Sequence, residues 1–580
     1  MSQLVFHCFA SPPTTCHSGR SHALLSFPAR SAGRVTQSRN LSSGLPIGAS
    51  AAVLLIACVL TMTSAPAQGL DPSELLKPLS RDWPTYNGDY TGRRYSGLAQ
   101  INRDNIGSLT LAWAFQTHSA SLQSTPLEVG GILYISGGNQ IWAVDARTGR
   151  QIWHFVRPGA PVSGANKGVA MWHDRLYMTT PDAQLLCVSA REGKLLWQIQ
   201  VADPALKAFG GVAPLVIRDH VIIGTSGDTA DLPGFLESVE PMTGKIEWRW
   251  DAMPHKGDTV AWNSWPHDTD VATRGGGMTW ITGTYDPELN LLYWGTGNPH
   301  PVENSEARVG ANLYTCAIVA LKPDTGKLAW YFQSSPHDTH DWDTVMTPVL
   351  FDGTFKGKPR KMLAQANKNG LFFVLDRTNG QALISEAFVP ANWVKSYDDR
   401  GQPIPDPDKE PKPDGVLVTG GVGTNWQAPS YSPETGLFYV NSRETMGVFY
   451  LTMPGKSAEG WAGRDFFLGS KSMLKAIDVQ TGKTRWTADT LGRGGQFGIL
   501  STAGHLVFTA DMSQNLVALD ASTGKALWHM YPGGNLGTGP MTYELDGRQY
   551  VAFLVDSVAY AFALPAPEST GATATAMAGR

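Results

Sequence analysis

One phrase recurs along the chain and limits what it can fold into. It reads AVDARTGRQIW from Ala143, CVSAREGKLLW from Cys187, SVEPMTGKIEW from Ser238, ALKPDTGKLAW from Ala320, AIDVQTGKTRW from Ala476 and ALDASTGKALW from Ala518, with a weaker copy, VLDRTNGQAL, from Val374. Each copy predicts a strand, a tight turn in which Gly supplies positive φ, and a second strand ending on a large aromatic. TYDPELNLLYWGT and SYSPETGLFYVNS have the same shape and fill two of the longer intervals. Strand units repeating every 40 to 50 residues or so cannot bury their faces singly, and stack around an axis as a β-propeller. The expected class is therefore all-β, with the propeller over residues 80–564 and the surplus length in loops around PHKGDTVAWNSWPHDTDVATRGGG and SYDDRGQPIPDPDKEPKPDGVL.

Both ends read differently. Arg20, Arg30, Arg34 and Arg39 precede the apolar run GASAAVLLIACVLTM, and Ala65 and Ala67 then form an A-x-A site. Residues 1–67 are thus expected to be a cleavable export signal, which places the mature chain in the periplasm. A retained anchor, or a lipoprotein signal ending at Cys58, are the competing readings. The small, polar residues 565–580 are expected to be a disordered tail. With 46 basic and 50 acidic residues, the chain has no polybasic face for nucleic acid or for a membrane surface. Cys187 and Cys316 alone follow the proposed cleavage site, so no disulfide framework is expected. C-x-x-C-H does not occur, so electrons, if moved, must pass to another protein.

The densest polar stretch is SPHDTHDWD, Ser335 to Asp343. Its three carboxylates and two imidazoles could form a metal cage, a catalytic base with helpers, or a solvated loop.

The phrase A-x-D-x-x-T-G-K-x-x-W resembles the tryptophan-docking repeat of quinoproteins. The opening DWPTYNGDYTGRRYSGLAQINRDNIGSLTLAWAF, with YDPELNLLYWGTGNP and NKNGLFFVLDRTNG, resembles the pyrroloquinoline quinone (PQQ) dependent methanol and ethanol dehydrogenases. This resemblance implies an eight-bladed propeller holding PQQ and a metal ion, a small alcohol or aldehyde as substrate, and a soluble cytochrome c as electron acceptor. It also implies roles for individual residues. Asn298 of GTGNP stands at the family's metal-binding Asn, and Asp343, which follows a Trp, at the catalytic Asp beside the metal. Lys368 of NKNG stands at the cation that hydrogen-bonds the reactive carbonyl. Asn425 of GTNW and Ser226 are expected quinone contacts, and Trp280, eighteen residues before Asn298, the platform for the ring. Lanthanide-using members carry a second Asp two positions beyond the base; counted from Asp343 that position is Val345, which favours Ca2+.

There are also departures. Thr229 occupies the expected place of a metal-ligand Glu, leaving Asp228, with Asp231 as alternative, to supply the missing carboxylate. Lys167 replaces an Arg that pairs with a quinone carboxylate, Gln123 replaces a Glu, Gly211 stands where a Thr hydroxyl is common, and APVSGANKG lacks the vicinal Cys pair that covers the quinone in many members. His337 and Asp338 are expected to be solvated, while His340 and Asp341 stay unassigned. Two rival functions follow: a propeller that has lost catalysis and binds partners, and a zinc hydrolase built on the His and Asp cluster. The second is weakened because HExxH is absent and zinc prefers compact His-rich sets.

Overall fold

A tryptophan on the outer strand of one sheet closes onto the turn of the next, and this contact explains the repeat. The computed structural model describes residues 69–119, 122–160, 166–203, 211–227, 232–489, 497–511 and 513–566, all within one compact unit, 64–580. The Trp153 indole N–H donates to the Ala190 carbonyl at 3.0 Å, Trp248 to Pro323 at 2.7 Å, Trp330 to Arg377 at 3.1 Å and Trp486 to Ala521 at 3.2 Å. Each ring lies on the glycine of the turn it docks to. At Gly524, where φ is +73°, a Cβ would come within 2.5 Å of the Trp486 ring. Glycine is therefore required twice over, by backbone conformation and by contact. The Asp of the repeat holds the same turn: Asp520 Oδ1 accepts the N–H groups of Ser522 and Thr523 at 3.0 and 2.9 Å. The weak seventh copy behaves like the others, since Trp330 lies on Gly380.

Among the described residues there are eight sheets of four or five strands and one two-stranded ribbon. In chain order the sheets cover 127–156, 170–200, 215–251, 284–333, 349–387, 430–489, 500–530 and 541–563. The last is completed by Thr110–Gln116, whose residues pair antiparallel from Thr110 opposite Ala563 to Gln116 opposite Val558. This closure ties together segments more than 440 residues apart, so that the last sheet is built from both ends of the propeller. The architecture is a β-propeller. Its core lies between successive sheets: one cluster runs through Leu127, Leu185, Ile222 and Val319, and another joins Leu133 and Trp142 to Phe508 and Tyr543.

The two long insertions are more ordered than loops. Residues 254–277 contain the short helices Thr259–Trp262, N-capped by Asp258, and Val271–Arg274. The second insertion forms the ribbon Val394–Tyr397 with Pro403–Pro405, then the strand Val416–Thr419. That strand pairs with the far half of Leu437–Leu451, which pairs in turn with the first half of Gly463–Asp478. A three-stranded layer thereby continues the sheet's two central strands. The proposed signal and tail fall almost wholly outside the described residues.

Candidate active site

Asn298 and Asp343 are brought together by two segments that touch without side chains between them. The turn after Leu291–Gly295 is held by Thr296 N–H to Ala317 O and Gly297 N–H to Met278 O, and the Thr344 N–H donates back to Thr296 O at 2.9 Å. A Cβ on Gly297 would lie 2.7 Å from Asp343 Oδ1, so the glycine of GTGNP is what admits the carboxylate. Asp343 Oδ1 accepts the Asn298 backbone N–H at 3.2 Å. Asn298 itself is buried, and its side-chain oxygen has no hydrogen-bond partner among the described residues. A buried amide oxygen left this way is costly unless something else is bound there.

Lys368 sits in the turn 367–370 between two central strands, with its carbonyl accepting the Gly423 N–H at 2.7 Å. Its ammonium donates to Asp341 Oδ2 at 2.6 Å and Asp343 Oδ2 at 3.1 Å. Burial alone pulls this amine down, but Asp341 and then Asp343 beside it hold it well above the ordinary lysine range. One cation thus stands between two carboxylates of unequal exposure: the Asp341 side chain is 25% exposed and that of Asp343 3%.

A second group of residues lies around Lys167. Its ammonium donates to Gln123 Oε1 at 2.9 Å and lies 3.3 Å from the centre of the Trp426 ring. Burial pushes its pKa down to about 7. Trp426 follows Asn425, whose side-chain oxygen accepts the Trp426 N–H. Trp426 and Trp280, both half-buried, pack on the same apolar cluster of Ile281, Val345 and Met346. Two indoles and an apolar floor therefore adjoin the segment that carries Asp343. Ser226 lines a cavity of 170 Å³ with Thr225, Leu232, Pro233, Phe235 and Met278. Met278 connects this wall to Asn298 through the Gly297 hydrogen bond. Gly211 contributes its carbonyl to the Lys167 N–H at 2.7 Å. Asp228 and Asp231 lie outside the described residues.

The expectation that His337 and Asp338 are solvated is overturned. Asp338 is buried, and its two oxygens accept the N–H groups of His340 and Trp342 at 3.1 and 3.0 Å, so it folds the segment that aims Asp341 and Asp343. Arg308, fully buried, donates to the carbonyls of Pro301, Val302 and Asp338. His337 donates from Nδ1 to Gly310 O at 2.7 Å, and burial lowers its pKa to about 4. His340 is stacked on Trp342 with ring centres 4.2 Å apart, and its Nε2 lies 2.9 Å from the Lys409 carbonyl. A carbonyl can only accept, so Nε2 carries the proton, and burial drives the ring pKa down to about 3. Among the described residues no three His, Cys, Asp or Glu side chains gather in a metal-holding arrangement. With His340 committed to packing, this cluster gathers no zinc ligand set among the described residues. Asp341 and Trp426 are the site residues that sequence reasoning left unassigned; the only signals for them were adjacency to Asp343 and to Asn425.

The family described as PQQ, "Glucose/ethanol/alcohol dehydrogenase, beta-propeller domain", matches residues 83–419 and 472–551. The chain is 36% identical over 540 residues to "Quinohemoprotein alcohol dehydrogenase ADH IIB" of Pseudomonas putida, covering 86% of this chain and 77% of that protein. It is 31% identical over 552 residues to "Lanthanide-dependent methanol dehydrogenase" of Methylacidiphilum fumariolicum, covering 86% and 89%. The solved quinohemoprotein alcohol dehydrogenase of Comamonas testosteroni superposes with a TM-score of 0.79 at 31% identity, over 87% of this chain and 84% of that one. The docked tryptophans, the closing strand and the match across most of both chains place this protein in the PQQ-dependent dehydrogenase family.

Proposed function

We propose that the protein is an exported, calcium-dependent PQQ alcohol dehydrogenase that passes electrons to an external cytochrome, each of its eight sheets being one blade. What carries the reading is the buried side-chain oxygen of Asn298, without a hydrogen-bond partner among the described residues, beside Asp343 and Lys368. An amide oxygen and a carboxylate are the hard donors that calcium takes, and Asp228 would add a third. Trp280 offers the flat apolar face a planar ring needs, with Lys167, Gln123, Ser226 and Asn425 as polar contacts at its edges. When bound, PQQ would supply the two-electron acceptor for the alcohol's hydride, polarised by the ion beside it. Asp343 takes the hydroxyl proton at Oδ2. Lys368 holds that carboxylate ionised and fixes its direction. A propeller kept only to bind partners has no use for a lysine buried between two carboxylates. No helix among the described residues is long and apolar enough to cross a membrane, which is compatible with an exported enzyme.

A second reading is favoured by the exposure difference. Asp341 is the carboxylate a substrate can reach, whereas both oxygens of Asp343 are engaged and nearly enclosed. Asp341 would then take the proton, and Asp343 would be a ligand only. Counted from Asp341, the position two residues on is Asp343 rather than Val345. An added carboxylate suits a trivalent ion, as the name of the lanthanide-dependent relative suggests. Asp341→Asn and Asp343→Asn, each loaded with PQQ and either Ca2+ or La3+, separate the readings by dye reduction with a short alcohol and by metal titration. Loss of about 10²- to 10⁴-fold in turnover with unchanged metal affinity marks the base. If that pattern belongs to Asp341, the first reading of Asp343 fails. If the wild type neither binds PQQ nor reduces dye with either ion, both fail.

A further inference from the structure

The three-stranded layer of Val416–Thr419, the far half of Leu437–Leu451 and the start of Gly463–Asp478 is apolar on both sides. On the inner side Val418 and Phe449 pack with Trp342 and Trp393. On the outer side Leu417 pairs with Val448 and Val448 with Phe466, so the three side chains form one rung across the layer. Phe466 is 64% exposed, Leu468 at the adjoining bulge 52% and Leu417 45%. An antiparallel layer with one face packed normally turns polar residues to water on the other, and an apolar outer face marks an interaction site. The segment leading into the edge strand is acidic. Residues 398–414 carry six Asp or Glu against Arg400, Lys409 and Lys412. This segment lies along the layer, with Leu451 N–H donating to Lys412 O, and Asp408 and Asp414 are exposed.

The layer is also continuous with the candidate site. The Phe467 ring meets Phe449 with centres 6.3 Å apart, Phe449 meets His340 at 4.7 Å, and His340 stacks on Trp342 at 4.2 Å. Trp342 stands between Asp341 and Asp343 in the chain. Aromatic rings in contact therefore lead from Phe467, which is 40% exposed and neighbours Phe466 in the chain, to the backbone carrying both carboxylates.

We propose that this face docks the electron acceptor, a c-type cytochrome whose exposed, apolar haem edge is ringed by lysines. The inference rests on the function proposed above. The apolar rung would meet the haem edge, and the acidic segment would steer the basic rim, the pattern expected of a small, transient electron-transfer interface. For each alcohol oxidised to aldehyde, two electrons and two protons leave the site. Each of two ferric cytochromes takes one electron at its iron, and both protons go to solvent.

The test uses the full chain loaded with PQQ and calcium, with a basic ferricytochrome c as probe, and the variants Phe466→Ser/Leu468→Ser and Asp408→Asn/Asp414→Asn. Phenazine dye reduction should be unchanged in both. Cytochrome reduction, as kcat/KM, and calorimetric cytochrome binding should each weaken about tenfold or more for the first pair, since truncating two central anchors removes over about 1.4 kcal/mol. The second pair should lose most of its salt dependence. Equal cytochrome binding and reduction in wild type and variants would overturn the proposal. So would a dimer that Phe466→Ser/Leu468→Ser dissociates, or anionic-vesicle binding that it abolishes, while cytochrome binding persists. Failure of dye reduction in the wild type would count against the proposed function alone, because calorimetry still decides the docking.

Discussion

Replacing Lys368 by Gln removes the one ammonium placed between Asp341 and Asp343. The structure sets the scale: two charge-assisted hydrogen bonds of 2.6 and 3.1 Å are lost, and a nearly enclosed carboxylate loses its counter-charge. Breaking a buried pair from one side costs about 3–5 kcal/mol. The pH dependence has a definite sign. In the wild type the lysine pKa is raised above its unfolded value, so its contribution is complete below about pH 10 and is lost only as pH climbs through the higher folded value. In Lys368→Gln the two carboxylates face each other, and one is expected to take up a proton. Its folded pKa then exceeds its unfolded value, so the variant is nearest the wild type close to pH 5 and falls behind it toward pH 8. Urea unfolding of the metal-free protein at both pH values reads this directly. In the loaded enzyme, dye-coupled turnover should fall by roughly 10²- to 10³-fold, the effect of deleting one preorganised donor, with partial return in Lys368→Arg. If Lys368→Gln unfolds like the wild type at both pH values and turns over within about threefold, about 0.7 kcal/mol in barrier, Lys368 is not the positive end of this site.

Two further outcomes are expected. Gly524→Ala should lower stability by about 2–3 kcal/mol, combining left-handed strain with a Cβ 2.5 Å from the Trp486 ring, whereas Gly547→Ala, with φ +76° and open space around it, should lose about 1 kcal/mol from strain alone; equal losses would show that the docked ring adds nothing. Lys167, held near pH 7 by burial, binds fewer protons folded than unfolded between about pH 7 and 10, so it makes stability rise with pH there. Its positioning role predicts proton uptake when the anionic PQQ binds near pH 8.5, measured by calorimetry in buffers of different ionisation heat. Lys167→Met should flatten the stability slope and abolish the uptake, and uptake that persists would remove Lys167 from the quinone contacts.

The turns were legible because everything that makes them is local. In the fullest copies Asp, Thr, Gly and Trp lie within eleven residues, and the turn Gly is common to all seven, so even the weak copy from Val374 announces its hairpin. The closing strand Thr110–Gln116 was not, since its partner begins at Val558 and nothing in LTLAWAF names it. The same limit explains the misreading of His337 and Asp338. A charged, loop-like stretch reads as solvated, and its burial comes from Arg308, from the 405–410 segment and from Phe449, none of them near in sequence. Composition could not show that an Asp was spending both oxygens on backbone N–H groups.

The phrase D-W-D shows most sharply what lies beyond a motif. Two carboxylates spaced by one residue point in different directions because Asp341 takes a left-handed backbone conformation, φ +62°, and Trp342 is pinned between them, its indole N–H on Gly421 O at 3.0 Å and its ring against His340 and Trp393. Rotation about that anchor turns Asp343 inward to the Asn298 amide and leaves Asp341 toward the accessible side, with Lys368 reaching both. A family pattern can say that a Trp precedes the base, but here either Asp lies beside a bulky ring, His340 before one and Trp342 before the other. The division of labour is therefore fixed by packing rather than by letters. Lys368, His340 and Gly421 come from three different segments, and each narrows what the two acids can do.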